Sequence, residues 1–163
     1  MKIFIAADHA GFELKQKLIP FLAGLGLSVV DHGAFKMDPD DDYPDFMKQV
    51  AKDVATDPSG SRGVVIGGSG FGEAMVVNRF KNVRAANFYG PKETIQAVDV
   101  AGRKSADPYE ILRLSRLHND ANVLAMGSRF VTEEEAKEAI RVFLETKFQG
   151  EERHLRRIQK IDL

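Results

Sequence analysis

The sequence predicts an α/β protein: five parallel strands in one sheet, with helices on both faces. Three observations predict it. Short apolar runs alternate with segments of helical period along the chain. Runs such as Gly63-Val64-Val65-Ile66 are continuously apolar, as strands covered on two faces are. A glycine-rich turn, Gly67-Gly68-Ser69-Gly70-Phe71-Gly72, joins one such run to a helical segment.

Ile3 to Ala7 is the first strand. Leu14, Leu18, Leu22 and Leu25 recur at helical spacing, which predicts a helix over residues 11–24, ended by Gly24 and Gly26. Leu27 to Val30 is the second strand. A loop carrying Asp38, Asp40, Asp41 and Asp42 ends at Tyr43-Pro44, and Phe46, Val50 and Val54 mark the next helix. Asp57-Pro58-Ser59-Gly60 is a turn before the third strand. The glycine-rich turn follows, with a helix running on through Ala74–Asn78. Val83 to Phe88 is the fourth strand. Residues 91–117 read as two helices interrupted at Asp107-Pro108, with Gly102 inside the first. Asn122 to Met126 is the fifth strand. Thr132 with Glu135 forms a capping box. It opens a helix whose apolar face is Ala136, Ala139, Ile140, Phe143 and Leu144.

The chain has 163 residues, which suits one domain with a real core. Residues 150–163 form a basic segment beyond it. The net charge of −1 offers no global field for nucleic acid. No apolar stretch approaches the roughly 18 residues of a membrane span. The first residues look like a strand rather than a signal peptide. Without cysteine there is no disulfide, thiolate catalyst or Cys-based zinc site, and a cytoplasmic location is the default.

Parallel sheets of this kind bind ligands at the carboxyl ends of their strands. Asp8-His9, the Gly67–Glu73 turn and Gly127-Ser128-Arg129 all follow strands and are expected to converge there. The turn fails three better-known motifs. A P-loop would need Lys-Ser/Thr where Glu73-Ala74 stand. The dinucleotide fingerprint needs a small residue at Glu73. A hydrolase elbow needs glycine at Phe71. What remains is a helix N-terminus with free N–H donors beside a carboxylate. Such donors next to a base suit proton abstraction alpha to a carbonyl. A first-turn carboxylate also complements the helix dipole, and the two roles are compatible.

Asp8-His9-Ala10-Gly11-Phe12, Asp42-Tyr43-Pro44, Gly67-Gly68-Ser69-Gly70, His118-Asn119-Asp120, Gly127-Ser128-Arg129, and Arg153-His154 with Arg157 occur in that order. As an ordered set over almost the whole chain they resemble the ribose-5-phosphate isomerase B family, which includes galactose-6-phosphate isomerase subunits. The resemblance implies an aldose–ketose isomerase of a phosphorylated sugar, on a Rossmann-like three-layer α/β/α sandwich. It implies no metal or cofactor. It also implies a homodimer or dimer of dimers with active sites between subunits. Ser69 with Glu73 is similar to the branch of the family that uses glutamate as base.

On that resemblance Glu73 is the base, Ser69 binds the reacting oxygens, and His118 opens the sugar ring. The N–H groups of Ser69, Gly70, Phe71 and Gly72, with the Asn119 side chain, stabilise the oxyanion. Gly68 and Tyr43 belong to the substrate-binding set, and Asp8 orients a histidine or holds hydroxyls. Arg129 and His9 suit phosphate, as do Arg153 and Arg157, with His154 between them; guanidinium offers bidentate geometry. Read without the family, His118 is a helix C-terminal histidine and residues 151–157 a solvated basic tail. The acidic loop reads as a solvated face, with Asp42-Tyr43 nearest the site.

Residues of about 93–108 form an insertion relative to the family pattern, and Phe71 is bulkier than the pattern. Both leave the sugar open: ribose 5-phosphate is the default, with a hexose 6-phosphate or tetrose phosphate as alternatives. A non-catalytic sugar-phosphate-binding subunit is a second reading, opposed by the retained Glu73. A flavodoxin-like signalling module is a third, opposed by the lack of an acidic pair and phosphorylatable aspartate.

Overall fold

The computed structural model of the chain describes residues 1–162. In chain order the elements are β1 (Lys2–Ala7), α1 (Phe12–Gly24), β2 (Ser28–Asp31), α2 (Tyr43–Thr56), β3 (Ser61–Gly67), α3 (Phe71–Val77), β4 (Ala85–Phe88), α4 (Glu110–Asn119), β5 (Val123–Gly127), α5 (Glu133–Glu145) and α6 (Glu152–Ile158). The strands form one sheet in the order β2-β1-β3-β5-β4, and every ladder is parallel. The α/β class predicted from the alternating pattern is therefore the class observed.

Strand side chains alternate between faces, and β1 shows it residue by residue. Ile3 and Ile5 pack with Leu18, Leu22, Leu112, Ile140 and Phe143 beneath α1, α4 and α5. Phe4 and Ala6 pack with Met47, Val50, Val54 and Val77 beneath α2 and α3. Burying one such aliphatic side chain is worth about 1.5–3 kcal/mol, so both faces hold their helices firmly. Local signals set the helix ends. Thr132 Oγ1 accepts from the Glu135 N–H at 3.2 Å while the Glu135 carboxylate accepts from the Thr132 N–H at 2.8 Å. Pro44 sits in the first turn of α2, where its missing N–H costs nothing.

Residues 91–117 do not form the two helices their composition suggested. Only Glu110–Asn119 is helical, and 89–109 forms an irregular strap. Short polar side chains outcompete the helix here. Asp99 Oδ1 accepts from the N–H groups of Ala101 and Arg103 at 2.9 and 3.0 Å. Thr94 Oγ1 donates to the Ser105 carbonyl at 2.8 Å, and Gly102 takes φ +81°, outside right-handed helix. The strap is tied down at the buried Glu110. Its carboxylate accepts from Arg103 Nη2 at 2.7 Å and from Ser105 Oγ at 2.9 Å.

Candidate active site

The expected convergence at the carboxyl edge is present. β1, β3 and β5 lie side by side, so Asp8-His9, the glycine turn and Ser128-Arg129 leave the sheet together. The Ser128 N–H donates to the Gly67 carbonyl at 2.8 Å and the Arg129 N–H to that of Gly68 at 3.3 Å. Gly70 takes φ +76°, and a Cβ there would stand 2.9 Å from the Met126 backbone. Only glycine suits that position. Asn87 at the end of β4 secures the turn, its Nδ2 donating to the Gly70 carbonyl at 2.9 Å.

Glu73 lies in the first turn of α3 and is buried. Burial pushes its carboxyl above the ordinary value, and the nearby Asp8 charge acts in the same direction. The N–H groups of Glu73 and Gly70 pull the other way without cancelling the rise. A carboxyl raised in this way suits a general base. Asp8, also buried, accepts from the Gly11 N–H at 3.0 Å, fixing the entry to α1. The Tyr43 ring lies over Gly72, and the exposed Arg129 guanidinium lies beside Gly68. Ser69 is half-buried, its Oγ 3.4 Å from the Phe71 nitrogen. Phe71 and Tyr89 meet at 5.1 Å between centroids, and Tyr89 meets Phe130 edge-on at 6.1 Å, forming an exposed aromatic wall beside the turn.

His9 is paired with Asp41, Nδ1 to Oδ1 at 2.8 Å. That bond, then the Asp8 and Asp41 charges, raises the His9 pKa; Arg129 opposes them. The acidic loop is thus not all solvated. The Asp41 side chain is only 6% exposed, whereas Asp42 faces solvent. Asp8, His9 and Asp41 are also the group whose donor atoms lie close enough for a cation, within 4.8 Å of one another. Bonds to Gly11 and between His9 and Asp41 already occupy several of those atoms.

The remaining predicted site residues lie elsewhere in the chain. α4 runs back against the strands, so His118 and Asn119 emerge at the amino edge of the sheet. There Arg84, just ahead of β4, donates from Nε to the Asn119 carbonyl at 2.9 Å. A strand of β5's length spans roughly 16 Å, which separates this edge from the glycine turn. His118 lines a cleft of about 250 Å³ with Arg153, His154 and Arg157 of α6 and Ala97–Val100 of the strap. Within one chain, then, Asn119 does not join the N–H donors of the turn, and His118 does not face Glu73. Sequence reasoning missed Asp41, Asn87 and Tyr89. The strand-end rule pointed to the last two, but nothing distinguished Asp41 among four neighbouring aspartates.

Three comparisons bear on this geometry. A family model described as Ribose/Galactose Isomerase matches residues 3–103 and 93–161. The chain belongs to the ribose/galactose isomerase family. Ribose-5-phosphate isomerase B of Mycobacterium tuberculosis (strain H37Rv) is 37% identical over 158 residues, covering 97% of this chain and 86% of that protein. The probable ribose-5-phosphate isomerase B of Mycoplasma pneumoniae is 38% identical, covering 98% and 91%. The crystal structure of ribose-5-phosphate isomerase B from Mycoplasma genitalium with bound ribulose-5-phosphate superposes with TM-score 0.84 at 37% identity, covering 98% of this chain and 93% of that one. In this ribose/galactose isomerase the two stretches of the family match overlap at residues 93–103, within the strap.

Proposed function

We propose that this chain interconverts ribose 5-phosphate and ribulose 5-phosphate through an enediolate, with Glu73 as the base. The buried, raised carboxyl of Glu73 beside the glycine turn carries this reading. Glu73 removes the C2 proton of the open aldose, and charge develops on O1. N–H groups of Ser69 and Gly72 have no acceptor among the described residues and suit that oxygen. The proton of the O2 hydroxyl passes to O1, and Glu73 then returns the carbon-bound proton to C1, leaving the carbonyl at C2. Ser69 holds the reacting oxygens. His118 moves the proton that opens the ring. Arg129, His9, Arg153 and Arg157 supply charge for the phosphate. All these steps use groups of this chain.

The separation of Glu73 from His118 supports a homodimer in which each site takes its glycine turn from one subunit and its His118–Asn119–Arg153–Arg157 group from the other. In the same reading residues 1–163 are one domain, with 150–163 against the partner, and the protein works in the cytoplasm. No helix among the described residues is long and apolar enough to cross a membrane.

The test is isomerisation of ribose 5-phosphate by chelator-treated protein, beside Glu73→Gln and a panel with a hexose 6-phosphate and a tetrose phosphate. Turnover lost in the variant with phosphate binding retained supports the mechanism. Binding without turnover of any sugar sinks it. Mixing Glu73→Gln with His118→Asn protein tests the shared site. Random reassociation of a symmetric dimer restores about a quarter of parental activity if sites are composite, and none if each subunit is self-sufficient.

A further inference from the structure

The rings of His118 and His154 lie face to face, 4.4 Å between centroids and 11° from parallel. They differ in everything else. His118, at the end of α4, is half-buried, and among the described residues no hydrogen bond holds either ring nitrogen. His154 on α6 is buried. Its Nε2 accepts from Arg153 Nε at 3.2 Å, with Glu151 Oε2 3.6 Å from the same nitrogen. Arg153 is itself held by Glu151, Nε to Oε2 at 2.9 Å. Burial, then the charges of His118 and Arg153, lower the His154 pKa, which agrees with a neutral ring.

A general acid–base histidine is ordinarily oriented by a hydrogen bond to its second nitrogen. His118 has none. Its plane is set instead by a neutral, buried aromatic surface. From this geometry we infer that His154 is a positioning residue for His118: the stack holds the His118 ring edge-on to the cleft, with both nitrogens free for the sugar. One face of His154 is covered by His118 and its Nε2 by Arg153, so within the cleft it supports His118 rather than acting as a second acid–base group. The charged groups facing the pair are Arg153 and Arg157 from α6, Glu151 at its start and Asp99 from the strap. This inference rests on the reading of His118 as the ring-opening group.

Stacking and hydrogen bonding make opposite demands on a substitute, so three variants separate them. His154→Phe keeps a flat ring and loses the acceptor. His154→Gln keeps an acceptor and loses the ring. His154→Ala loses both. With ribose 5-phosphate, His154→Phe is expected to stay within about threefold of parental kcat, while the other two fall at least tenfold with KM little changed, as a mispositioned catalytic group predicts. The His118 ring proton resonances are expected to be ring-current shifted in the parent and in His154→Phe, and to relax towards ordinary positions in His154→Ala. Loss in His154→Phe equal to that in His154→Ala, retention in His154→Gln, or no loss in any variant overturns the inference. If His154→Ala does not fold by circular dichroism, the Phe–Gln pair and the parental spectrum still decide. Full activity of His118→Asn would defeat the ring-opening reading instead, and the resonance shifts would still report whether the stack exists.

Discussion

The carboxylate of Glu73 lies against the α-carbon of Gly67, where any Cβ would collide with it. Gly67 ends β3 and Glu73 sits in the first turn of α3, so the turn brings its own base back over the strand that launches it. Gly67→Ala is therefore expected to displace the carboxylate while leaving the sheet paired. A shift of about 1 Å in a catalytic group costs about 10²-fold in rate. Steady-state kinetics and a thermal melt check this, with kcat falling near that amount and the melting temperature moving little.

Glu73→Gln is expected to lower kcat by 10²–10⁴-fold, the usual worth of a general base (~3–5 kcal/mol). It should also stabilise the protein above acid pH. The folded carboxyl has a pKa raised from 4.5, mainly by burial. The folded state thus holds its proton more tightly than the unfolded chain, and stability falls as pH rises through the raised value. Glutamine escapes that loss. Melts across pH should show parent and variant converging near pH 4 and the variant more stable at pH 8. A variant less stable at pH 8 would contradict the buried, raised carboxyl.

Asp41 is expected to set the charge of His9. The histidine's raised pKa, led by the bond to Asp41, contributes stability that is complete below 6.5 and lost as pH rises through the raised value. In Asp41→Asn the His9 midpoint should move down, followed by its ring resonance in an NMR titration. Phosphate affinity near pH 7 should weaken with it, since fewer molecules then carry the His9 cation.

The strap is expected to depend on one buried carboxylate. The Glu110 side chain is 4% exposed and that of Arg103 47%. Arg103→Ala leaves Glu110 with Ser105 as its remaining partner, which costs about 1–3 kcal/mol once the exposure of Arg103 is allowed for. Urea unfolding should show that loss. Limited proteolysis should open new cleavage between 92 and 108 before the sheet unfolds, because residues there are held by polar side chains rather than by core packing.

The sequence by itself determined the strand–helix alternation, the two-faced core and the meeting of Asp8, the Gly67–Glu73 turn and Arg129 at one edge. These follow from patterns between near neighbours and from the rule that parallel strands end on the same side. The tertiary structure decided the rest. It alone shows that Asp41, not Asp42, turns inward to His9, since four adjacent aspartates carry the same local signal. It unwinds the strap, because Asp99 and Ser105 find backbone and Glu110 partners that helical periodicity cannot foresee. It places His118 and Asn119 a strand's length from Glu73, because α4 must run antiparallel to β5 to cover the sheet. And it stacks His154 on His118, a contact between residues 36 positions apart that no spacing along the chain encodes.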